Sequence, residues 1–119
     1  MLRRALLPCL LMLVVLPVSA GARPHAHAAK TCNISGQERK LGTTYVTSLS
    51  AKHVSCAKAK KLVKAFHACR HRHGKAGHCG SVKGYSCTEK RTTSPVQYYS
   101  TATCTKGSKK VTHEYTQNT

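Results

Sequence analysis

The segment "CRHRHGKAGHC", from Cys69 to Cys79, sets two cysteines, three histidines and three basic side chains within eleven positions. Such a set has the residue types to hold a metal, to run Cys/His nucleophilic chemistry, to bind an anion, or to close a turn through one disulfide. Nucleophilic chemistry needs a free thiolate beside an imidazole. Zinc and copper accept cysteine and histidine ligands, but the spacing matches none of the C-x(2–4)-C and H-x(3–5)-H pairs of structural zinc sites. A histidine-only Zn/Cu site of His67, His71, His73 and His78 is an alternative, since His67 and His71 stand four apart and share one edge of a helix that reaches that far. The choice among these turns on whether the cysteines are free, and so on the compartment.

Residues 1–20, "MLRRALLPCLLMLVVLPVSA", place Arg3 and Arg4 before an apolar run from Ala5 to Leu16 and end on small residues. This is the pattern of a cleavable secretory signal. The run is too short for a bilayer core that needs ~20 residues. The sequence predicts cleavage after Ala20, with Ala22 and Ala28 as alternative points. Residues 21–30, "GARPHAHAAK", then read as a flexible leader. Residues 31–119 form one disulfide-rich domain of a secreted, monomeric protein. Of the seven cysteines, Cys9 leaves with the signal. The six that remain, Cys32, Cys56, Cys69, Cys79, Cys87 and Cys104, read as three disulfides in an oxidising compartment. That leaves no thiolate for catalysis or metal binding. Cys69 and Cys79 would close a small ring worth about 3 kcal/mol by loop entropy. The other four allow three pairings; Cys56–Cys87 and Cys32–Cys104 are preferred, tying the helix start to the sheet and the terminal strands to each other.

Elements to position these residues follow from periodicity. "KTCNISG" and "TTYVTSLSA" alternate and read as strands. Ser55 is placed to cap a helix over "CAKAKKLVKAFHACR". Cys56, Ala59, Leu62, Val63, Phe66 and Cys69 recur at intervals of three and four, one buried stripe. Lys60, Lys61, Lys64 and His71 fall opposite, and Gly74 is the candidate C-cap. "SVKGYSCTEK", "VQYYSTATC" and "KKVTHEYT" are further strands, separated by the turns "TTSP" and "TKGSKK". The expected fold is α+β: one amphipathic helix packed on a small antiparallel sheet of four to five strands.

With those elements in place, "LGTTYVTSLSAKHVSCAKAKKLVKAF", "VKGYSC" and "TCTKGSKKVTHEY" together resemble a group of small secreted actinobacterial proteins of uncharacterised function. The shared frame is a strand, an "SCxxA" helix, a "GYxC" strand and a "C-x-K-G" hairpin. It spans about residues 31–117. The resemblance implies no catalytic or ligand residues, and Cys69 and Cys79 lie outside the minimal frame.

Charge sets the partner class. Of 20 Lys and Arg, Arg3 and Arg4 precede residue 21; the remaining 18 face only Glu38, Glu89 and Glu114, a net +15 with no Asp anywhere. Anionic polymers of the envelope or extracellular medium are the expected partners. Lys60, Lys61, Lys64, Arg70, Arg72 and Lys75 would form one cationic ridge from helix to loop. Tyr98 and Tyr99 are adjacent and so face opposite ways on a strand, which argues against a stacking platform for specific nucleic-acid reading. The apolar stripe is needed by the sheet, which argues against an interfacial membrane helix. Glycosidase chemistry lacks its carboxylate pair, a serine triad lacks its acid and elbow, and no cofactor is expected. A His/Lys nuclease is the remaining catalytic alternative.

Overall fold

Ser55 begins the one helix among the described residues, α1 (Cys56–His71), with its hydroxyl accepting from the Lys58 amide at 3.2 Å. The helix ends with Arg72 as cap, and the left-handed residue of the exit is Gly74, φ +89°. The computed structural model describes Gly21 and residues 28–119; the expected signal and most of the leader lie outside the described residues. Six strands accompany the helix: β1 (Lys30–Thr31), β2 (Tyr45–Lys52), β3 (Ser81–Val82), β4 (Tyr85–Thr93), β5 (Gln97–Lys106) and β6 (Lys109–Asn118). They form one antiparallel sheet in the order β1-β2-β6-β5-β4-β3. The fold is α+β as expected, with one strand beyond the expected four to five. The extra strand has a local cause: "SVKGY" folds back on itself at Lys83–Gly84, both at positive φ, so one expected strand becomes the β3–β4 hairpin. At the other edge, β1 begins at Lys30, the last residue of the expected leader. It stops after two residues, where Asn33 Oδ1 accepts from the Ser35 amide at 3.0 Å and Gly36 takes φ +77°.

One face of the sheet carries the core. Val46, Leu49 and Ala51 of β2, Tyr98, Ala102 and Cys104 of β5, and Val111 and Tyr115 of β6 meet Ala59, Leu62, Val63 and Phe66 of α1. A bulge between Val46 and Ser48 lets Val46 and Leu49, three residues apart, both face the helix. The opposite face is hydroxyl-rich. Thr88, Thr103, Thr112, Ser50 and Thr31 stand in one row across five strands.

The three disulfides are Cys32–Cys56, Cys69–Cys79 and Cys87–Cys104. The loop staple Cys69–Cys79 is the pairing expected; Cys56–Cys87 and Cys32–Cys104 are not formed. Topology explains both corrections. The Cys32 amide bonds the Leu49 carbonyl at 2.8 Å, beside β2, and the helix starts four residues after β2 ends. That brings Cys32 and Cys56 to a Cα separation of 5.5 Å. Cys87 and Cys104 are direct cross-strand partners in the β4–β5 register, 4.1 Å apart at Cα. Non-reducing digestion should return these three linked peptide pairs; a Cys56–Cys87 peptide would contradict the fold. Replacing Cys69 and Cys79 together by Ser should lower unfolding stability by about 3 kcal/mol in a denaturant titration.

Candidate functional site

Arg70 belongs to the helix stripe: it lies four residues after Phe66, and its side chain is fully buried. It is therefore not part of an exposed cationic ridge. A guanidinium has five N–H donors, and here each has an acceptor. Nε donates to His67 Nδ1 at 2.8 Å. One terminal nitrogen donates to the Lys75 carbonyl and the Tyr98 hydroxyl, both at 2.7 Å. The other donates to Thr43 Oγ1 at 3.1 Å and Gln117 Oε1 at 2.7 Å. Its carbon also lies 4.8 Å from the Tyr115 ring centroid, within cation–π range. Burial lowers its pKa, opposed by Tyr115, Tyr98 and Glu89, and an arginine remains charged under these conditions.

This bond network fixes two histidines. His67 Nδ1 accepts from Arg70, so the His67 proton sits on Nε2, which meets His113 Nε2 at 3.0 Å. His113 then accepts there and carries its own proton on Nδ1. Both imidazoles are buried. Burial, then His113 and Arg70, push the His67 pKa far down. Burial pushes His113 to about 4, with Arg70 adding and Glu89 opposing. His67 therefore has no free ring nitrogen for a metal or for acid–base work.

The loop from Arg72 to His78 is held by guanidinia as well as by its disulfide. The Lys75 carbonyl takes Arg70; the Ala76 and Gly77 carbonyls take Arg91 at 2.7 and 2.6 Å. A methyl group at Gly77 would run into the Arg70 carbonyl. Arg91 also donates from Nε to Glu89 Oε2 at 2.6 Å. The same oxygen accepts from the Ser100 and Tyr115 hydroxyls at 3.0 and 2.9 Å. Burial would raise the Glu89 pKa, but the bonds from Arg91 and Tyr115 outweigh it and hold the carboxyl low.

The remaining expected residues disperse. His71 Nε2 bonds Gln117 Oε1 at 3.1 Å, while His73 and His78 are exposed on the loop. Among the described residues, no group of three or more His, Cys, Asp or Glu is placed to hold a metal, so the histidine-quartet alternative is not assembled. A His/Lys nuclease could not use His67, whose two ring nitrogens are both engaged in the core. Lys61, Lys64, Arg72 and Lys75 are exposed and Lys60 is half-buried; without Arg70 they are a broken ridge. Tyr98 is buried and Tyr99 half exposed, on opposite faces as expected. The burial of His67 and Arg70 had a sequence signal. They continue the three-and-four spacing from Val63 and Phe66, but their polar type set them aside.

A second cationic cluster was not singled out by the sequence reading. Tyr85, the first residue of β4, sits between two depressions of about 190 and 300 Å³. Lys58, Lys61, Leu62 and Lys83 line one; Lys58, Lys109, His53, Val54 and Ser55 line the other. Lys106 Nζ lies 5.9 Å from the Tyr85 ring centroid.

No family model, no curated protein and no solved structure matches this chain. Among the described residues, no helix is long and apolar enough to cross a membrane. The class rests on the fold alone: a helix on a six-stranded antiparallel sheet, cross-linked by three disulfides.

Arg70→Lys supplies three donors in place of a five-donor fork and should destabilise by about 2 kcal/mol or more, since lost bonds to a charged group cost ~1.5–3 kcal/mol; an unchanged urea midpoint would contradict this. His113 has a folded pKa below its unfolded value of 6.5. Its contribution to stability is therefore complete above pH 6.5 and is lost as pH falls toward 4, on the order of 3 kcal/mol. Urea midpoints measured from pH 7 to pH 4 should fall steadily through that window.

Proposed function

We propose that this protein acts outside the cytoplasm, as a monomer, as a non-enzymatic binding module for anionic polymers of the envelope or extracellular medium. The observation that carries this reading is the separation of its charges. The buried cation, Arg70, is committed to internal acceptors. Glu89 is committed to Arg91, and Glu114 accepts from Ser48 at 3.1 Å. No described lysine is buried. The exterior is thus strongly cationic, and of its three acids Glu89 and Glu114 are engaged within the fold. Three disulfides fit an oxidising compartment. The resemblance to small secreted actinobacterial proteins agrees with that address and contributes no ligand.

The oxidised, signal-free protein should be retained on a sulfated polysaccharide column and elute at higher salt than a folded control of equal net charge and size. Its affinity should fall steeply with salt, as expected when bound counterions are released. Elution together with the control would reduce the surface to a solvated one.

A further inference from the structure

The expected cationic ridge lacks its central residue, because Arg70 is buried. The end of the sheet that holds Tyr85 has a more specific organisation. Two hairpin turns meet there, Lys83–Gly84 between β3 and β4 and Gly107–Ser108 between β5 and β6, together with the first turns of α1. Gly84 lies against Lys106: a Cβ built there would stand 3.1 Å from Nζ. Five lysines, Lys58, Lys61, Lys83, Lys106 and Lys109, therefore surround one half-buried tyrosine ring. Among the described residues, no Asp or Glu lines either depression.

Two features show that this arrangement is unfavourable to the fold by itself. Like charges stand directly opposite at one cross-strand position of the cluster, Lys106 with Lys109. Such pairs destabilise a sheet. Lys83 takes φ +51°, a left-handed turn position at which Gly or Asn is preferred and another L-residue costs roughly 1–2 kcal/mol. A cation thus stands where backbone geometry favours a different residue. The repulsion between the paired lysines falls if negative charge arrives from outside, whereas the backbone cost at Lys83 stays.

We infer that the lysine-rimmed end around Tyr85 is the polymer site and that its ligand is an acidic polysaccharide. This rests on the proposed polyanion reading. A pyranose ring packs on Tyr85 between the two depressions. Its acidic substituents, and those of the neighbouring sugars, reach Lys58, Lys61 and Lys83 on one side and Lys109 on the other. Lysine is a point charge with rotatable donors, suited to carboxylate or sulfate groups spaced along a flexible polymer. A nucleic acid fits less well. Binding to single strands uses successive aromatic platforms, and Tyr85 is the one aromatic lining these depressions.

The test compares two triple variants of equal net charge in the oxidised, signal-free protein. Lys58→Gln, Lys83→Asn and Lys109→Gln together remove three of the five lysines around Tyr85, and Asn is tolerated at the left-handed turn. Lys64→Gln, Arg72→Gln and Lys75→Gln alter the helix-to-loop surface instead. Binding to heparin, polygalacturonate, neutral dextran and single-stranded oligo-dT is measured by titration over one matched series of salt concentrations, with thermal melts confirming the fold of each variant. The first triple should lose tenfold or more in affinity for the acidic glycans and show a shallower salt slope, while the loop triple stays within about twofold. Tyr85→Leu should weaken glycan binding at unchanged net charge, and Tyr85→Phe should restore it. Heparin ahead of polygalacturonate assigns sulfate as the substituent, and the reverse order assigns carboxylate. Equal losses in both triples would overturn the site yet leave polyanion binding standing. Oligo-dT bound more tightly than either glycan would overturn the ligand class, and no binding of wild-type protein to any polyanion would overturn both readings.

Discussion

The buried guanidinium of Arg70 is the interaction on which the rest of the arrangement depends. Bringing such a cation out of water costs several kcal/mol, and here its direct partners are all neutral oxygens or nitrogens. The cost is tolerable only with every donor matched. The five acceptors come from the N-terminal loop, α1, the stapled loop, β5 and β6. Three of them, Thr43, Tyr98 and Gln117, lie 27 to 47 residues from Arg70, so the charge is fully satisfied only in the global arrangement. The Cys69–Cys79 disulfide closes the loop; Arg70 and Arg91 fix its three successive carbonyls at Lys75, Ala76 and Gly77.

The same guanidinium gives the core its chemistry. The chain contains one Phe and no Trp, so large apolar rings are scarce. Two imidazoles take their place. Phe66 meets His67 and His113 edge-on at centroid distances of 5.1 and 5.3 Å, and His113 stacks on Tyr115 at 5.4 Å. Burial in such a core favours the neutral imidazole, because the charged form loses its hydration. Arg70 enforces that state on His67 by requiring a lone pair at Nδ1, and His67 passes the requirement to His113. The core is therefore assembled with built-in sensitivity to acid, in contrast to one made of phenylalanine.

The helix, its cap, the major strands and the loop staple were legible in the sequence because each follows from local rules: period, capping hydroxyl, turn residues, short ring closure. What was not legible depends on register and strand order. Cys87 and Cys104 are partners because β4 and β5 align them, and Cys32 reaches Cys56 because β1 lies at the β2 edge. Neither follows from spacing along the chain. Arg70 illustrates a different gap. Its position in the stripe was visible, but whether an arginine there turns inward depends on five acceptors from elsewhere in the fold, and the default for arginine is the surface. The lysine cluster at Tyr85 is likewise a product of topology, since it joins residues from 58 to 109 that no local pattern links.

The placement of the disulfides bears on how the fold tolerates that cluster. Two of the three lie beneath it. Cys56 is two residues before Lys58, Cys87 two after Tyr85, and Cys104 two before Lys106. Repulsion among five uncompensated cations would favour fraying of the helix start and splaying of the two hairpins. Each of those motions is opposed covalently, the first by Cys32–Cys56 and the second, at the β4–β5 seam, by Cys87–Cys104. The other end of the helix holds one covalent staple and the Arg70 network, and there the cation is satisfied internally. The molecule thus handles its excess positive charge in two ways: by complete hydrogen bonding where the charge is buried, and by cross-linking where it is left open to solvent. An open, braced, uncompensated cluster is the arrangement expected of a surface whose counter-charge is supplied by a ligand.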